Sequence, residues 1–115
     1  MDIRLPIYDK KTVVKTYTAE TYDIMFGTVE DLINALDFDK MSSGKDEDLI
    51  AAIAVAIPKI FRFIKPLLKD IFEGLTDEEL KHCKVKDIAI ALLNVIKFTI
   101  RQISKVTTQK TREGG

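Results

Sequence analysis

The chain has 115 residues, 46% of them hydrophobic and 31% charged, and its 18 basic side chains balance 18 acidic ones. These globular proportions exclude wholesale disorder, and the length suits one domain whose core needs no disulfide staples. Zero net charge argues against a strongly basic nucleic-acid binder or a highly acidic mimic, and it gives little electrostatic protection against self-association.

The lone cysteine, Cys83, allows no disulfide within the chain. The first residues lack the charged, apolar, then small-residue pattern of a secretory leader. The longest uncharged stretches, Leu49–Pro58 and Ile88–Ile96, are about half of what a membrane-spanning helix needs. A cytoplasmic setting with no membrane partner is expected. The neutral sum conceals a gradient. Residues 84–115 hold seven bases and two acids, so that segment carries +5 and everything before it −5. The split predicts a domain that pairs its own halves, with an acidic partner for the basic end as the alternative.

Ile3, Leu5 and Ile7 alternate with Asp2, Arg4 and Pro6, which is the period of a strand. Thr12–Tyr17 is β-branched and aromatic, and Asp9-Lys10-Lys11 is turn-like, so residues 1–17 are predicted to form a β-hairpin. Pro6 lacks an N–H and favours an edge. A hairpin alone is marginal in water, so it must pack on the rest or pair with another chain.

The remainder predicts helices. Thr18 caps a short one over Ala19–Phe26, which Gly27 stops. Thr28 caps a second, with Glu30 and Asp31 in its first turn and Val29, Leu32, Ile33 and Leu36 as its apolar face. Met41–Gly44 reads as a loop. Asp46, Glu47 and Asp48 open a third helix, Glu47–Ile57, that is apolar all round and so is either central or covered by a partner. Pro58 breaks that helix or starts the next. Helix four, Lys59–Glu73, has a stripe centred on Ile60, Ile64, Leu67, Leu68 and Ile71. Phe63 lies on one edge of the stripe, Phe61 and Phe72 on the other, and Pro66 should bend the helix.

Gly74 ends helix four, and Thr76-Asp77-Glu78-Glu79 is a capping box that starts a short helix. The last helix spans Val85 to Lys105. Val85, Ile88, Ala89, Leu92, Val95, Ile96, Ile100 and Ile103 form its apolar face, with Ile90 and Phe98 outside it. Residues 106–115 are expected to be a disordered tail. The predicted fold is therefore mainly α: a compact bundle of about five helices preceded by an N-terminal β-hairpin, in one domain over residues 1–105.

Chemistry is sparse. His82 adjoins Cys83, but sequence neighbours rarely aim at each other, and two adjacent ligands are a weak start for zinc. Asp37-Phe38-Asp39 and Asp46-Glu47-Asp48 lack the spacing of a calcium loop, and no glycine-rich phosphate loop exists. The basic last helix lacks the interleaved aromatics of a nucleic-acid binder. No enzyme activity, cofactor or metal is expected. What remains is surplus apolar surface: fifteen isoleucines, ten leucines and phenylalanines on helix flanks. Phe61, Phe63, Phe72, Ile90 and Phe98 are the candidate protein-binding residues.

Three stretches carry a resemblance: Tyr17–Leu32 (YTAETYDIMFGTVEDL), Ile64–Leu80 (IKPLLKDIFEGLTDEEL) and Val85–Ile88 (VKDI). Together they resemble the tail assembly chaperones of long-tailed phages and prophages of Gram-positive bacteria. The resemblance implies a small, mostly helical, non-enzymatic protein. Such a protein coats the apolar, helical tape measure protein in the host cytoplasm and is absent from the mature virion. The tape measure protein is the implied partner, with the major tail protein as a further one; a homo-oligomer is expected from the neutral charge and its +5/−5 split. Members of the family have no catalytic residues to carry over. The alternative reading is a bacterial helical adaptor or regulatory module acting through protein contacts.

Overall fold

The computed structural model describes residues 2–36 and 45–114, with side chains described up to residue 99. Met41–Gly44 and the Asp37–Asp39 carboxylates lie outside the described residues, as do the side chains of Ile100 and Ile103.

The alternation of Ile3, Leu5 and Ile7 does form a strand. β1 (Asp2–Asp9) pairs antiparallel with β2 (Thr12–Glu20), with Leu5 opposite Tyr17 and Pro6 opposite Thr16. Ile3, Leu5 and Ile7 are buried, because one face of the pleat meets the core and the other meets solvent. Ile7 stands opposite Lys15 but Tyr8 opposite Val13, so Val14 is an extra residue in a bulge. Lys10 makes the turn at φ 58°, the left-handed conformation that tight hairpins use. The far edge of β1 is tied down where Tyr8 N–H donates to the His82 carbonyl (2.9 Å).

The hairpin is longer than predicted, and the Ala19–Phe26 helix does not form. Ala19 and Glu20 pair with Ile3 and Asp2 instead, so Thr18 caps nothing. Long-range pairing to a buried strand overrides their local helix preference. Only one 3-10 turn, Thr21–Asp23, follows. Helix α1 (Phe26–Ala35) then starts at Met25, with no side-chain cap. Gly27 therefore lies inside the helix, and Thr28 is buried in its first turn together with Val29.

The two predicted helices on either side of Pro58 are one. Helix α2 (Asp46–Ile71) runs 26 residues through Pro58 and Pro66. An interior proline costs about 3 kcal/mol. Burial of an Ile or Leu side chain returns about 1.5–3 kcal/mol, and Ile53, Ile57, Ile64, Leu67, Leu68 and Ile71 are all buried along this helix. Both prolines are exposed. Asp46, Glu47 and Asp48 occupy the first turn, where the helix dipole favours them.

Gly74, at φ 90°, reverses the chain after α2. The capping box at α3 (Asp77–Leu80) forms as the sequence predicts. Glu79 N–H donates to Thr76 Oγ1 and Thr76 N–H to Glu79 Oε1, both at 3.1 Å. Helix α4 (Val85–Gly114) begins where expected but continues through residues 106–114, the predicted disordered tail. Its register there holds no proline, and Gln109, Lys110 and Arg112 are good helix formers.

The result is a mostly helical chain with an N-terminal hairpin and four α-helices among the described residues, rather than about five. α4 is the element around which the rest assembles. It touches β1, α1 and α2, and it buries Ile88, Ala89, Ala91, Leu92, Leu93, Val95 and Ile96. The apolar segment 47–57 is not central. It buries Ile53 and Ile57 but leaves Ala51, Ala52 and Val55 exposed.

Candidate protein-binding surface

The connection from β2 to α1 is drawn across the surface because Thr21 is buried on one side of it and Val29 on the other. That path leaves Tyr22, Met25 and Phe26 73%, 75% and 69% exposed. The Tyr22 ring meets the half-buried Phe98 of α4 edge to face, with centroids 5.1 Å apart and planes at 86°. Three exposed large apolar side chains thus fall within five residues, and one of them, Tyr22, rests on Phe98. Aromatic and methionine side chains are the types that protein interfaces favour, and methionine adapts its shape to a partner.

A second apolar feature lies between α1 and α2. Ala35, Ile60, Phe63, Pro66 and Leu67 line a groove of about 570 Å³, with Asp31, Asn34 and Arg62 at its margin. Phe63 is 64% exposed there. Phe61, two residues away, points around the helix to a different groove of about 550 Å³, lined with Ile57, Pro58, Leu80, Val85 and Ile88. Residues i and i+2 sit about 200° apart on a helix, so Phe61 and Phe63 do not share a face.

The five sequence candidates therefore scatter. Phe63 borders the α1–α2 groove and Phe98 joins the Tyr22 group. Phe61 and Ile90 are half-buried. Phe72 is 1% exposed and belongs to the core, which corrects its assignment as a binding residue. It is the first residue after α2, where the chain leaves the helix with φ −109° and turns inward, so helical periodicity no longer places it. Tyr22, Met25 and Phe26 fall in the short helix expected over Ala19–Phe26, which assigned them no exposed face. Their signal was Ile24-Met25-Phe26, an apolar run that fits neither the strand period nor the following helix stripe.

Polar groups do structural work here. Tyr17 Oη donates to Glu79 Oε1 (2.6 Å), and Lys15 Nζ donates to Tyr17 Oη (2.8 Å) and Glu79 Oε2 (3.1 Å), which joins the hairpin to the capping box. The Tyr17 hydroxyl, with Lys15 and Thr76, lowers the Glu79 carboxyl to about 2. Lys65 and Lys69 of α2 reach Asp77 of α3, Lys65 at 2.8 Å, and hold that carboxyl at about 2. Lys97 pairs with Asp46 at 2.8 Å, one direct link between the acidic and basic halves.

His82 and Cys83 do not face each other as a nucleophile pair. His82 Nε2 lies 3.8 Å from Glu78 Oε1, while Cys83 Sγ donates to the Glu79 carbonyl. Burial, with the charges of Asp87 and Glu79, pushes the Cys83 thiol up to about 11, which keeps it protonated and poorly nucleophilic. Among the described residues no group of three or more His, Cys, Asp or Glu side chains is placed to hold a metal ion. No helix among them is long and apolar enough to cross a membrane. Compared with known proteins, the chain matches no family model, no curated protein and no solved structure.

Proposed function

We propose that this protein is a tail assembly chaperone of a long-tailed phage or prophage, the family its sequence resembles, and that it holds the apolar helical tape measure protein until the tail tube assembles. The observation that carries this reading is the exposure of Tyr22, Met25 and Phe26 in one short connection, with Tyr22 resting on Phe98. A client helix presents apolar side chains along one side, and the adaptable, aromatic-rich surface suits many such segments in turn. The α1–α2 groove beside Phe63 offers a second place for a helix face. The host cytoplasm is where such a client would be met.

Co-expression with tape measure fragments tests it. Fragments that precipitate alone should remain in solution with this protein and co-purify with it. Fragments that stay soluble by themselves and do not co-purify would overturn the reading. Binding of a folded regulator instead would favour a bacterial adaptor.

A further inference from the structure

The hairpin has one closed edge and one open edge. On β1 the far side is tied to His82 through Tyr8 N–H, and Pro6 has no N–H to offer. On β2 nothing but β1 pairs among the described residues, so its other side presents a nine-residue run of strand backbone. Thr12, Val13, Val14, Thr16 and Thr18 are all exposed along it. An edge of this kind is usually guarded by a charged side chain or a bulge; the bulge at Val14 lies near the turn and leaves the run from Lys15 onward regular. Lys15 is the only charge in the interior of β2, and its ammonium leans toward Glu79 (3.1 Å) and Tyr17 (2.8 Å).

We propose that β2 pairs with β2 of a second copy of this chain, antiparallel about a two-fold axis at Thr16, to make a four-stranded sheet. The strand is complementary to itself in that register. Thr16 stands opposite Thr16, Lys15 opposite Tyr17, Val14 opposite Thr18, and Glu20 opposite Thr12. No like charges meet, and a cation meets an aromatic ring, a pairing these two side chains already make within one chain at 4.4 Å. An axis at Lys15 would set lysine against lysine. Axes at Tyr17 or Thr18 also separate like charges, but only the axis at Thr16, the midpoint of β2, sets Lys15 opposite Tyr17. The sheet would set the exposed Val13 and Val14 beside Ala19 and Thr18 of the second copy, and its pairing is independent of any client.

Cysteine cross-linking in a Cys83→Ser background reads both the contact and its register. Opposed residues of an antiparallel pair have Cα atoms about 4.5–5.5 Å apart, within disulfide reach. Under mild oxidation Thr16→Cys should form a covalent dimer. Val14→Cys and Thr18→Cys should each stay monomeric, because each would lie about 14 Å from its own copy, yet the two mixed should cross-link to each other. By sedimentation the unmodified protein should show a concentration-dependent dimer that Thr16→Lys weakens roughly fivefold, with unchanged melting temperature at concentrations low enough to keep both proteins monomeric. Cross-linking of Thr16→Cys no faster than Val14→Cys would overturn the proposal, as would a protein that stays monomeric at every concentration.

Discussion

Single side chains separate into those that hold the fold and those that face outward, and burial decides which. Phe26 and Phe72 are chemically the same residue, yet one is 69% exposed and the other 1%. Phe26→Asp should weaken client co-purification by tenfold or more, as loss of an interface anchor does. Its effect on unfolding should stay within about 0.5 kcal/mol. Phe72→Ala should instead cost about 3–5 kcal/mol in a denaturant titration, through lost burial and the cavity left behind. Equal destabilisation by the two would remove Phe26 from the binding surface. The phenylalanines on α2 were legible as apolar flank residues, but which flank stays open depends on neighbours far away in sequence.

At the scale of elements, the unbroken α2 is the clearest departure from local rules. Pro58→Ala should restore a backbone hydrogen bond at an exposed position and raise stability by about 1–3 kcal/mol in thermal melts. A loss of stability would mean that the proline ring itself is needed for packing. The α3 capping box was readable from Thr76 and Glu79 alone, since both partners lie within one turn. What the local sequence did not show is that Tyr17, 62 residues away, donates to the same carboxylate. Glu79 has a folded pKa of about 2 against an ordinary 4.5, so the unfolded chain takes up its proton first as pH falls. Its contribution is complete above pH 4.5 and disappears as pH drops toward 2. Tyr17→Phe removes the main cause, so acid unfolding followed by circular dichroism should begin at higher pH. Asp77 titrates over the same window, and its partners Lys65 and Lys69 are untouched by that change.

For the whole molecule, the +5 and −5 halves are tied at least once, by Lys97 and Asp46 across α4 and α2. If the client is held by apolar contact, its capture should persist at 1 M salt, where the Debye length is about 3 Å. Capture that fails between 0.1 and 1 M salt would point to the charged halves as the binding surface. The molecule extends 56 Å along its longest axis. Most of that length is α4, whose 30 residues rise about 45 Å. A long central helix flanked by shorter elements leaves more lateral surface uncovered than a closed bundle does, which is consistent with apolar residues remaining outside the core.

The sequence by itself determined the hairpin's inward face, the acid-first start of α2, the α3 capping box and the α4 stripe from Ile88 to Ile96. Each of these depends on residues within a turn or a strand of one another. Tertiary structure alone decided that Ala19 and Glu20 join a strand, that α2 passes through two prolines, and that Tyr22, Met25 and Phe26 stay in water. In each case a contact distant in sequence outweighs a local preference worth at most a few kcal/mol. Neutral overall charge, the first number read, was indifferent to all three.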